Sequence, residues 1–170
     1  MVLGLSLSTF TLLHVVISLV AIGAGAVVMA GMLGNRGMPG WTAFFLVTTF
    51  LTSATGFLFP FERVLPSHIV GIVSIAVLAL ATFALYGGHL AGGWRGTYVV
   101  TALVALWFNV FVLIAQAFLK IGPLHALAPT GSEPAFLAAQ AIVLAIFVAL
   151  GVRAFRAFHP RTERGVLRAA

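Results

Sequence analysis

The side chains able to do chemistry are few and lie in apolar surroundings. His14, His68 and His125 offer imidazoles, Glu62 and Glu133 offer carboxylates, and Asn109, Gln116, Lys120 and Gln140 offer amides and an ammonium group. Imidazole takes up protons near neutral pH and ligates metals through a neutral ring nitrogen. Amides and hydroxyls among apolar residues are costly without a partner, so they bind each other, water or a polar solute. Cysteine is absent, which excludes disulfides, iron–sulfur clusters, thiolate metal sites and thiol nucleophiles. No Ser, His and carboxylate fall at spacings that signal nucleophilic catalysis. The Gly-Gly pairs at 87–88 and 92–93 lack the strand-before, helix-after setting of a nucleotide loop. Met29, Met32 and Met38 sit at helical spacing in or beside an apolar run, where methionine packs rather than binds copper. No catalytic residue is assigned, and the reading leans away from an enzyme.

The elements that must position these groups are set by composition. With 62% hydrophobic and 7% charged residues over 170 positions, and a mean hydropathy of +1.17, the chain cannot cover a soluble domain, which needs about a quarter charged residues. It reads as an integral protein of the cell (inner) membrane with the bilayer as its main partner. The net charge of +6 does not point to nucleic acid. Five of the nine basic residues, Arg153, Arg156, Arg161, Arg164 and Arg168, fall within the last eighteen positions, the pattern of a basic membrane flank.

The expected fold is an all-α bundle of five transmembrane helices spanning about 9–33, 41–59, 67–88, 97–119 and 134–153. These form one domain over 1–159, followed by a basic cytoplasmic tail at 160–170. About twenty apolar residues cross the hydrocarbon core. The first run is longer than a signal peptide's and has no basic start, so retention is expected. Turns follow at Gly34–Gly40, at Pro60–Pro66 and at Ala91–Gly96. The connection Ile121–Pro134, with three prolines, is the longest. Ser132 with Pro134 reads as the cap of the fifth span. With the tail inside, Arg36 and Arg95 also fall inside, giving seven basic residues on the cytoplasmic side against Arg63 and Lys120 outside. That bias puts the N-terminus outside and the C-terminus inside.

The fourth span organises the others. Tyr98, Thr101, Ala105, Asn109, Gln116 and Lys120 share one stripe at helical spacing, which should face protein. Leu103, Leu106, Trp107, Phe108, Phe111, Leu113, Ile114 and Phe118 should face acyl chains. In the first span Ala21 and Gly25 form a small-xxx-small pair for close packing. In the fifth, Ala141, Ala145 and Ala149 are expected to do the same.

The topology gathers His14, Thr52, Thr55, His68, Gln116, Lys120, Gln140 and Glu133 in or at the outer half, with Asn109 beneath them. Two readings compete: a polar vestibule opening outward and capped by the fourth loop, or side chains reaching headgroups from helix ends. The first implies a small multi-pass protein that binds or passes a small polar solute, ion or proton, as a homo-oligomer or as an accessory subunit of a membrane complex. A different class of function arises from His14 and His68 as axial ligands of haem b. In outline that pairing resembles the four-helix membrane b-type cytochromes, and the resemblance implies haem b as cofactor and electron transfer as activity. A zinc site from His14, His68 and His125 with Glu62 or Glu133 is chemically sensible, though no HxxxH or HxxE pairing places two ligands on one helix.

Overall fold

The computed structural model describes residues 2, 4–60 and 66–160. Glu62, Arg63, Arg161, Arg164 and Arg168, with nearly all of the basic tail, lie outside the described residues. Helix α1 runs Leu7–Leu33. It starts where the Ser6 hydroxyl accepts the Thr9 amide at 3.1 Å, satisfying one of the orphan donors of a helix N-terminus. It stops at Gly34, and Asn35 takes φ 53° in the turn that follows. Helix α2, Pro39–Gly56, and helix α6, Pro134–Ala157, both begin on a proline, which lacks the amide that a first helical residue would leave unbonded. Helix α3, Pro66–Thr82, widens into a π-helical turn at Phe83–Gly87. There the chain turns into α4, Gly93–Lys120, with Phe83 packed edge-on against Trp94.

Two expectations are corrected at this level, and the longest connection is partly folded. The 121–134 connection contains a further short helix, α5, Gly122–Leu127, because Pro123 is tolerated in a first turn. The residue preceding α6 in cap position is Glu133, not Ser132, and its side chain turns back into the loop. Ala141, Ala145 and Ala149 are exposed. The inward edge of α6 instead runs through Phe136, Gln140, Phe147, Gly151, Ala154 and Phe158.

Helix α4 touches all the other long helices. Around it α3 packs on α2, α2 on α1 and α1 on α6, an arc of four helices about one axis. Of its most apolar eighteen residues 44% are buried, against 22% in α1, 22% in α3 and 6% in α6. This overturns the acyl-facing surface expected for α4: Leu103, Leu106 and Phe118 are buried, and Trp107, Phe108 and Phe111 are half-buried. A helix packed on several sides buries apolar residues outside its polar stripe as well. The stripe itself divides. Tyr98, Thr101, Ala105 and Asn109 are buried, whereas Gln116 and Lys120 emerge at the exposed end.

Close packing of α1 is built on Gly25. A methyl group there would meet Leu106 Cδ1 at 2.5 Å and a Phe45 ring carbon at 2.8 Å, so α1, α2 and α4 converge where only hydrogen fits. Ala21, one turn earlier, is fully buried.

Among the described residues, four helices are long and apolar enough to cross a membrane: α1, α3 with its π turn, α4 and α6. Helix α2 has eighteen residues, six of them Thr or Ser, and those hydroxyls keep it outside the set. Its polarity is nevertheless inverted relative to a soluble helix. Thr42, Thr48 and Thr49 are buried, while Trp41, Phe44, Val47, Phe50 and Leu51 are exposed.

Candidate functional site

The polar side chains meet along α2. Among the described residues, four side-chain-to-side-chain hydrogen bonds join different helices, and α2 contributes to each. Near its start Thr42 and Tyr98 of α4 bond at 3.3 Å. At the middle Asn109 Nδ2 of α4 donates to Thr49 Oγ1 at 3.2 Å. One turn later Ser53 Oγ donates to Ser74 Oγ of α3 at 3.2 Å. At the far end Thr55 Oγ1 lies 2.8 Å from His14 Nδ1 of α1. Residues 42, 49, 53 and 55 span thirteen positions, about 20 Å of helix, so this polar spine runs most of the length of α2. The spacing of those hydroxyls was the available signal. A threonine that bonds only to its own helix gives the same pattern, as Thr52 does with Thr48 O at 3.0 Å.

The hydrogen bonds around His14 favour one tautomer. The single proton of the Thr55 hydroxyl points back to Leu51 O at 2.7 Å, with Thr52 O at 3.2 Å as a weaker second acceptor. With that proton committed to Leu51 O, the Thr55 oxygen is the acceptor for His14, which favours the tautomer with the proton on Nδ1. Nε2 keeps its lone pair, and no described residue bonds to it. The half-buried ring is held edge-on by Phe59 at 5.2 Å, and Gly56 passes close to its Cε1. One ring nitrogen is tied down, here by a hydroxyl, while the other is left open, as in imidazoles whose second nitrogen is oriented by the protein.

The remaining expected site residues do not join His14 around one cavity. His68 is buried at the start of α3 against the Phe57 ring, 5.9 Å between centroids. Helix α3 packs on α2 and α4, with no more than marginal contact to α1. Gln140 donates through Nε2 to Phe111 O at 3.1 Å, fixing α6 on α4. Its Oε1 and the Trp107 Nε1 are buried without a partner, both on the α4–α6 seam. His125 is exposed on α5, which packs chiefly against α4 and not across the bundle. Gln116 and Lys120 are exposed and make no side-chain hydrogen bond among the described residues. Among those residues no three His, Asp or Glu side chains come together as a metal site.

Glu133 has a local task. Its carboxylate accepts the Thr130 amide at 2.9 Å and the Ser132 amide at 3.0 Å. Hydrogen bonds to the charged form, foremost that from the Thr130 backbone, pull its pKa from 4.5 down to about 2. It locks the loop before α6.

Two open clefts lie away from the polar spine. One, about 240 Å³ and almost entirely apolar at its surface, runs between α4 and α6 past Leu103, Trp107, Leu144 and Gly151. The other, about 290 Å³, opens between the ends of α1 and α6 beside Leu33, Arg153 and Arg156. At that end Arg95 Nη1 donates to Phe155 O at 2.7 Å and to Phe158 O at 2.9 Å, with its guanidinium over the Phe155 ring. The Asn35 side chain accepts the His159 amide at 2.7 Å.

No family model, curated protein or solved structure matches the chain.

Proposed function

We propose that this is a multi-pass inner-membrane protein of five crossing helices, N-terminus outside and C-terminus cytoplasmic, that binds or passes a proton or small polar solute at an outer-half site centred on His14. The fifth crossing is α2. Its inverted polarity, hydroxyls inward and apolar residues outward, supports it, since in a bilayer the apolar face meets lipid and polar groups find partners inside. The sidedness follows from the excess of basic residues at the α6 end.

The observation that carries the functional reading is the His14–Thr55–Leu51 relay, which leaves an unbonded imidazole nitrogen at one end of a polar spine. An imidazole of this tautomer accepts a proton or a hydrogen bond from a solute at Nε2 without disturbing its anchor. From there the α2 hydroxyls and the Asn109 amide extend the polar path inward.

Proteoliposomes test the reading. The parent protein should accelerate either proton entry, followed by an entrapped pH dye, or osmotic swelling in urea or glycerol, and His14→Gln should abolish the gain. Parent liposomes no faster than empty ones in both assays, or a His14→Gln variant as fast as the parent, would refute it. Reporter fusions after Arg36, Arg95 and Arg161 should read cytoplasmic, and those after Arg63 and Ala128 periplasmic.

A second reading, haem b held by His14 and His68, is favoured by the same tautomer, because Nε2 is the nitrogen that ligates iron. Against it, α1 and α3 make no more than marginal contact with each other. A Soret band in protein purified from a haem-replete host would establish it, and a colourless preparation would remove it.

A further inference from the structure

The cleft at the basic end of the bundle has chemistry that the His14 site does not use. It is bounded by Leu33, the last residue of α1, and by Arg153, Arg156 and Ala157 in the last turns of α6. Arg153 and Arg156 stand three residues apart, so they project from one side of the helix. Both are exposed. Neither is engaged as Arg95 is, with carbonyl oxygens, and neither has a carboxylate partner among the described residues. The chain has three acidic residues in all. Of these Glu133 is twenty residues away along α6, about 30 Å at the helical rise, and is bound to its own loop. Two guanidiniums without a carboxylate partner among the described residues, which do not include Glu62 or Glu163, beside a cleft of about 290 Å³ call for an anion with several acceptor oxygens, and the planar, forked donors of arginine suit phosphate best.

We propose that this cleft binds the phosphate of an anionic membrane phospholipid, with Arg153 and Arg156 on its oxygens and Leu33 against the glycerol and first acyl carbons. The apolar wall and the position of the cleft, where α1 and α6 leave their apolar runs, favour a lipid over a dissolved phosphate. Basic pockets between helices at the cytoplasmic surface are suited to such headgroups. The inference rests on α1 and α6 crossing a membrane and is independent of what His14 does.

The test uses the full chain, delipidated in neutral detergent. Short-chain phosphatidylglycerol is titrated while Tm is followed and retained lipid is counted by native mass spectrometry. Phosphatidylcholine and inorganic phosphate serve as separate arms. The expected result is a rise in Tm of several degrees with phosphatidylglycerol alone, and about one lipid retained per chain. Arg153→Gln and Arg156→Gln should each weaken apparent affinity about tenfold, while Arg36→Gln keeps the parent response and Arg153→Lys an intermediate one. Lipid-free Tm of each variant separates loss of binding from loss of fold. Equal gains in the double glutamine variant, an equal gain with phosphatidylcholine, a gain with inorganic phosphate alone, or no gain in the parent would each overturn the proposal. The reporter fusions fail or succeed separately, so a wrong topology is not mistaken for an empty cleft.

Discussion

Thr49→Val is the perturbation that probes the polar spine most cleanly, because valine matches threonine in shape and removes only the oxygen that accepts from Asn109 Nδ2 at 3.2 Å. Both residues are deep in the bundle, Thr49 at 0% exposure and Asn109 at 8%, so no water replaces the lost acceptor. Leaving a buried amide donor unbonded costs about 1–3 kcal/mol. Asn109→Ala differs in kind: it leaves a hydroxyl that can turn to the carbonyl four residues back, as Thr48 and Thr52 already do, and it opens a small cavity. The cavity cost occurs in both arms of a double-mutant cycle and cancels. The coupling should then be about 0.6 kcal/mol and at most about 1.7 kcal/mol, the average and the maximum measured for hydrogen bonds between membrane helices. Reversible unfolding in mixed micelles gives the four stabilities. Effects additive within about 0.3 kcal/mol would mean that the amide and hydroxyl do not interact, and the account of α2 as the polar spine would fail at its midpoint.

Other outcomes follow from single contacts. Gly25→Ala should destabilise by about 1–3 kcal/mol, since its methyl group meets Leu106 and Phe45, which have no room to move. Gly23→Ala, with open space at its Cβ, should be neutral or slightly stabilising through helix propensity, and thermal melts in detergent compare the two. The depressed pKa of Glu133 means that its ordering of the loop is fully present above the unfolded value of 4.5 and is lost as pH falls through about 2. Amide exchange at Thr130 and Ser132 should therefore remain protected at pH 5 and lose protection toward pH 2, and in Glu133→Gln the protection should be weaker at every pH. Arg95→Gln removes a charged donor shared by two carbonyls at the end of α6, so exchange should rise in the last turn of α6 and around Phe158 while the centre of the bundle is unchanged.

Much of the helical layout could be read from the chain because apolar runs, prolines and Gly-Asn turns mark helix ends independently of packing. The inward turn of Asn109 and the close approach at Ala21 and Gly25 were legible for the same reason: a buried amide and a missing side chain each admit few surroundings. Which apolar face meets protein was not legible. In a chain this apolar, Leu103 and Leu106 in the interior look the same as Ile142 and Val148 on the surface, and only a polar residue orients a helix. Helix α4 defeats even that, because packing on several sides buries more than its stripe. The alanines of α6 misled for the converse reason: small residues permit close packing, but Gln140, bonded to a carbonyl of α4, decides the rotation of that helix. The role of α2 was hidden because a threonine bonded to its own helix and one bonded to a neighbour have the same spacing. Thr52 does the first and Thr49 the second.

The nitrogen-15 spectrum of His14, resolved by comparison with His14→Gln in protein labelled on histidine and held in lipid bilayers, tests most directly whether a bare imidazole nitrogen is offered at the end of the polar spine. The expected spectrum is that of a neutral ring with the proton on Nδ1 and an unprotonated Nε2 that alone shifts when pH is lowered or solute is added, and of a mixture of tautomers in Thr55→Val. A proton on Nε2 in the parent, or a spectrum unchanged in Thr55→Val, would contradict it.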